Sequence, residues 1–164
     1  MARSYEPWER RLVAEYVPRA HPRGDWDFNV RLGGPPHGMS WERYTAPEQR
    51  ALGGVFRRWV DALVRYPDRI VCVEGKMVLE PVALAELELY ARLLPASNDY
   101  WYASGSRIEL EAVYAVADPV IEAMGREKGI RMVLYRPTFY DTWLVSMAVQ
   151  HRRASPALVT RQIS

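Results

Sequence analysis

With 164 residues, 49% of them hydrophobic and 26% charged, the chain can bury one real core and is too short for two comfortable ones. No apolar run approaches the ~20 residues of a membrane span, and residues 1–6 are polar and charged, without the apolar centre of a secretory signal. The net charge of +2 permits a nucleic-acid partner without demanding one, and the lone Cys72 excludes a disulfide framework and a cysteine-rich metal site, which fits a reducing cytoplasm.

Residues 5–17 read as a helix, with Trp8, Leu12 and Tyr16 at fourfold spacing and Pro18 as its stop. Residues 26–32 alternate apolar and polar and enter the loop Gly33-Gly34-Pro35-Pro36-His37-Gly38, the mark of a strand. Thr45-Ala46-Pro47-Glu48 has capping-box spacing and predicts a short helix reaching Gly53-Gly54. Residues 56–66 alternate, residues 69–77 are apolar and β-branched, and only Pro67-Asp68 separates them. That is a hairpin, although Pro-Asp suits a type I turn better than the primed turns hairpins prefer.

Pro81 opens a helix carrying Leu84, Leu87, Leu89, Tyr90, Leu93 and Leu94, which stops before the loop Pro95-Ala96-Ser97-Asn98-Asp99. Residues 107–116 form a further strand. Asp118-Pro119 caps a helix that Gly129 ends, residues 130–135 make another strand, and a last helix runs from 140 to about 150. The basic tail, 152–164, is assigned no element. We expect a single α/β (α+β) domain over residues 1–164, core about 5–145, with a mixed central sheet flanked by helices.

The hairpin brings charges together. If the turn is the pair Pro67-Asp68, Tyr66 faces Arg69, and counting outward sets Asp61 opposite Glu74 with Cβ atoms ~5 Å apart. Lys76, two residues on, shares the face of Glu74. Like charges directly opposed are destabilising, yet two carboxylates are tolerable around a divalent cation, and hard oxygen ligands suit Mg²⁺ or Mn²⁺. Lys76 would then orient or help deprotonate an attacking water and stabilise charge developing on phosphate. The apolar residues flanking Glu74 and Lys76 mark a buried strand, where free charge is costly. A structural ion cluster of Glu74, Lys76 and Asp61 without metal is the competing explanation. A turn one residue longer would shift the register and make Asp68 the substitute carboxylate.

These segments resemble the PD-(D/E)XK nuclease superfamily. Residues 56–64 and Arg69-Ile70-Val71-Cys72-Val73-Glu74-Gly75-Lys76 look like its Asp and (Asp/Glu)-x-Lys strands, and residues 81–90 resemble the helix that follows them. The resemblance spans most of residues 5–145 and implies a restriction-endonuclease-like αβββαβ core. It implies Asp61 and Glu74 as ligands of Mg²⁺ or Mn²⁺, with Lys76 serving the catalytic water. Many members carry a glutamine on the following helix, where this chain has Glu86; that departure adds a carboxylate to the site, and an exposed helix charge explains it equally well. Some members add an acidic residue from the first helix, here Glu9 or Glu15, although a solvated helix face explains both more simply. Gly75 fits, since a small residue is usual there.

Other signals are weaker. His21, His37 and His151 lack metal-ligand spacing and read as surface or capping residues. Trp26, Trp41, Trp59, Tyr100, Trp101 and Tyr102 have faces on which bases stack, but core positions explain them better. Arg57-Arg58 and Arg152-Arg153 read as solvated surface that can meet phosphates. The expected function is metal-dependent hydrolysis of DNA phosphodiester bonds. The alternative is a catalytically silent nuclease-fold protein, acting as a nucleic-acid-binding or virion structural component. The resemblance implies a phage or mobile-element origin, DNA as partner with homo-oligomer or phage-assembly contacts as candidates, no membrane partner, and a place in the host cytoplasm or the virion.

Overall fold

The structure, a computed structural model, describes residues 7–33, 40–56, 58–97 and 106–154. Its helices are α1 (Pro7–Ala20), α2 (Ala46–Phe56), α3 (Pro81–Leu93), α4 (Pro119–Glu127) and α5 (Tyr140–Ala154). Its strands are β1 (Asp25–Leu32), β2 (Arg58–Arg65), β3 (Arg69–Val78), β4 (Arg107–Val116) and β5 (Arg131–Leu134), ordered β1-β2-β3-β4-β5 in one sheet. The first three strands pair antiparallel and the last three parallel. Short turns suffice for antiparallel neighbours, whereas parallel ones need crossovers, and α3 and α4 supply them. The result is the mixed α/β fold expected from the order of elements.

Alternation along the strands sorts the interior into two cores. On one face Leu63, Ile70, Cys72 and Tyr114 pack against Leu84, Leu87 and Tyr90 of α3 and Ile121 of α4. On the other, Ala62, Val71, Val73 and Val113 pack against Leu12, Val13 and Val17 of α1 and Trp143 of α5. Covered on both sides, β3 reads as a nearly continuous apolar run rather than an alternating one. Among the described residues no helix is long and apolar enough to cross a membrane.

Element ends depart from expectation at proline and glycine. Helix α1 passes through Pro18 to Ala20. In the last turn a proline forfeits one hydrogen bond, and its fixed φ is already helical. Helix α2 likewise crosses Gly53-Gly54 and includes Phe56, so β2 begins at Arg58. Glycine weakens a helix interior by about 1 kcal/mol and does not forbid it. The caps behave as read: the Glu48 carboxylate accepts from Thr45 N–H and Oγ at 2.8 Å each, and Asp118 accepts from Val120 and Ile121 N–H. Gly129 closes α4 with φ +72°.

Cys72 is fully buried in β3, and burial pushes its thiol up to about 12. Native protein should therefore resist thiol reagents at pH 8 and label only on unfolding. Rapid native labelling would show that β3 opens or that the thiol is exposed.

His21 overturns the expectation of a surface or capping residue. It is buried, with Nδ1 2.9 Å from the Tyr66 hydroxyl and Nε2 3.0 Å from Oε1 of the buried Glu111. Arg131 meets the other oxygen of Glu111 at 3.1 Å. This network ties the end of α1 to the β2–β3 hairpin and to the parallel strands, far from any sequence neighbour. His37, Arg57, residues 98–105 (which hold Tyr100, Trp101 and Tyr102) and the tail from 155 onward lie outside the described residues, as do the side chains of Trp41, His151, Arg152 and Arg153.

Candidate functional site

The β2–β3 hairpin has the register counted from its turn. Tyr66 N–H donates to Arg69 O at 2.8 Å, and pairing runs from Arg65↔Ile70 to Ala62↔Val73. It ends one step short of Asp61 and Glu74. There the expectation of two carboxylates standing side by side on one face needs correction. Phe28 and Ala62 belong to the α1-side core, while Val30 and Val60 belong to the α3-side core. Both strands thus exchange faces at Asn29 and Asp61, and Asn29 carries φ +52°, a left-handed conformation that asparagine tolerates better than most residues. Freed from the ladder, the Asp61 carboxylate turns across the sheet and accepts Gly75 N–H through Oδ2 at 2.9 Å.

Glu74 and Lys76 keep their shared face, toward α3. Lys76 Nζ donates to Glu74 Oε1 at 2.6 Å and lies 3.1 Å from Glu86 Oε2. Glu86 is thus drawn into the site by an ion pair rather than left as a solvated helix charge. Asp61, Glu74 and Lys76 are all buried, and among the described residues no hydrogen-bond donor reaches Oε2 of Glu74. Burial, and then the nearby Asp61 carboxylate, hold the Glu74 carboxyl well above the ordinary glutamate range, against the pull of Lys76. Burial alone would lower the Lys76 ammonium; Glu74, Glu86 and Glu9 outweigh it and hold Lys76 above the ordinary lysine range. The two shifts agree: neighbouring carboxylates disfavour the charge on Glu74 and favour the charge on Lys76.

The first helix divides its two acids. Glu9 reaches the site electrostatically, through Lys76. Glu15 instead accepts from Thr138 N–H at 3.0 Å and from the Tyr135 hydroxyl at 2.9 Å, fastening α1 to the chain before α5. Asp68 stays in the hairpin turn, paired with Arg69 at 3.2 Å, away from the cluster.

Tyr90, expected only as an apolar-face residue of α3, also borders the site. Its hydroxyl donates to Trp59 O at 2.6 Å, and burial followed by the charges of Glu74, Glu86 and Asp61 drives its ionisation far up. The available signal was helical spacing, since Tyr90 follows Glu86 by four residues and so shares its face.

Gly75 shows why a small residue stands between Glu74 and Lys76. A Cβ there would lie 2.3 Å from Val13 Cγ2 and 3.5 Å from both Asp61 Oδ2 and the Glu9 carbonyl. Valine on a helix has essentially one χ1 rotamer and cannot swing away. Gly75→Ala should therefore push α1 off the sheet and lower stability by about 1–3 kcal/mol in a urea melt. An unchanged midpoint would mean that α1 does not press on β3 at this point.

No known protein family and no curated protein matches the chain. Among solved structures it is similar to one titled "Crystal Structure of Protein of Unknown Function AF1548", at 12% identity and a TM-score of 0.44, over 85% of this chain and 67% of that one.

Proposed function

We propose that the protein is a divalent-metal-dependent nuclease of restriction-endonuclease-like fold, a PD-(D/E)XK relative that hydrolyses DNA phosphodiester bonds. The observation that carries this reading is the crowding of Glu74: its carboxyl is buried near those of Asp61 and Glu86, Lys76 meets its Oε1, and among the described residues no donor reaches its Oε2. Buried negative charge in excess is costly unless a cation offsets it. Among the described residues no group of three or more His, Cys, Asp or Glu is placed to hold an ion by itself. Magnesium does not ask for one, since it keeps several waters and takes one or two carboxylates.

Asp61 and Glu74 would hold Mg²⁺ or Mn²⁺, which when bound polarises a phosphoryl oxygen and acidifies water. Lys76 is held as an ammonium. Its role is therefore to orient the attacking water and balance charge growing on phosphate, rather than to accept a proton. Glu86 keeps Lys76 aimed.

One observation favours the second reading, a catalytically silent nuclease-fold protein that binds nucleic acid or serves in a virion. The ion pairs of Lys76 with Glu74 and Glu86 satisfy the lysine without any metal. Supercoiled, linear and single-stranded DNA incubated with Mg²⁺, Mn²⁺ or EDTA separates the two. Cleavage that needs the metal is the expected result. Intact DNA in every form, with no rise in melting temperature on adding Mg²⁺, would leave only the silent reading.

A further inference from the structure

On the α1 side of the sheet a cleft opens beside the Asp61 carboxylate, lined also by Arg10, Val13, Ala14, Phe28 and Asn29. It holds about 210 Å³, less than the ~300–1,000 Å³ of pockets that enclose a whole drug-sized ligand, so it suits one planar ring rather than a whole nucleotide. Its chemistry is graded. Val13 and Ala14 give an aliphatic floor, Phe28 an aromatic wall, Asn29 an amide, Arg10 a cation, and Asp61 joins the cleft to the proposed metal site. The ring of Trp26, partly exposed, stands 5.5 Å from that of Phe28 and extends the aromatic surface along β1. This is where both strands exchange faces and where Asn29 sits at φ +52°. A non-glycine residue held in that conformation within a strand is uncommon, and such outliers gather at ligand sites.

A planar π-face, an amide and a cation beside the proposed nuclease site suit a nucleotide. We propose that the cleft receives one unstacked nucleobase of the strand being cut, with Phe28 stacking on it and Asn29 meeting its edge. The proposal rests on the nuclease reading and names its substrate class: single-stranded or locally unpaired DNA. A base inside intact duplex is stacked and paired and cannot enter without being extruded, so the cleft selects for strands already open.

The test uses three labelled oligonucleotide substrates with Mg²⁺: a single strand, a duplex with one unpaired nucleotide, and a fully paired duplex. The full chain is compared with two variants. Phe28→Leu keeps apolar volume and removes the stacking face. Asn29→Gly removes the amide at a position whose φ suits glycine, so the fold is retained. Wild type should cleave the two open substrates with at least tenfold higher kcat/KM than the paired duplex. Each variant should lose most of that preference, Phe28→Leu by about tenfold, as loss of a base–aromatic stack implies. Anisotropy of a labelled single-stranded oligothymidylate in EDTA reads binding without cleavage.

Metal-dependent cleavage with equal rates on all three substrates and unchanged by either variant would overturn the cleft assignment and leave the nuclease reading standing. No cleavage, with single-strand binding that Phe28→Leu weakens, would overturn the nuclease reading and support the cleft. Neither cleavage nor binding would remove both.

Discussion

Lys76→Ala is expected to reduce metal-dependent DNA cleavage ~10²–10³-fold, the usual effect of removing one preorganised electrostatic group. It should also destabilise the protein, because Lys76 is the cation between Glu74 and Glu86 at 2.6 and 3.1 Å. Taking one partner from a buried ion pair typically costs ~3–5 kcal/mol. The loss should depend on pH. Glu74 already has a carboxyl raised above its ordinary 4.5, and without Lys76 it rises further. A raised carboxyl contributes stability that is complete below the unfolded value and is lost as pH rises through the folded one. The melting deficit of Lys76→Ala should therefore be smallest near pH 4.5 and grow toward pH 8. Lys76→Met keeps the stem packed and separates chemistry from folding. Cleavage by Lys76→Met within a few-fold of wild type would remove the lysine from the reaction.

The hairpin around Pro67-Asp68 was legible because its information is local. A two-residue turn sets the register, and the register sets which residues meet. Glu74 and Lys76 followed from alternation alone. Asp61 did not, because alternation assumes a regular strand, and the exchange of faces at Asn29 and Asp61 turns that carboxylate across the sheet. Glu86 was ambiguous for another reason: a glutamate on a helix face reads as solvated until a cation on the sheet is known to lie 3.1 Å away. The buried His21–Glu111–Arg131 network was invisible. Its members come from the residue after α1, from β4 and from β5, and no spacing in the chain links residues 21, 111 and 131. Pro18 and Gly53-Gly54 misled about element ends because each biases helix termination without enforcing it.

Glu74→Gln should separate metal binding from folding most sharply, because its two effects have opposite sign. Glu74 sits in surroundings that, Lys76 included, disfavour its charge, as its raised carboxyl shows. A raised carboxyl means that the ionised form is disfavoured in the native state. The neutral isostere avoids that cost, so metal-free Glu74→Gln should melt above wild type at pH 8. The advantage should narrow as pH falls toward 4.5, where wild type gains the proton itself. Magnesium reverses the order. A ligand that binds only the native state stabilises by mass action, about 2.7 kcal/mol at a hundredfold excess over Kd. Wild type should show that rise, and Glu74→Gln, with half of the paired negative charge gone, should show little of it. Melts at pH 5 and pH 8, each with Mg²⁺ and with EDTA, measure both effects in one set. If metal-free Glu74→Gln melts below wild type at pH 8, the Lys76–Glu74 pair outweighs the repulsion from Asp61, and the cluster is a self-sufficient ion network. If its rise with Mg²⁺ equals that of wild type, Glu74 is not a metal ligand.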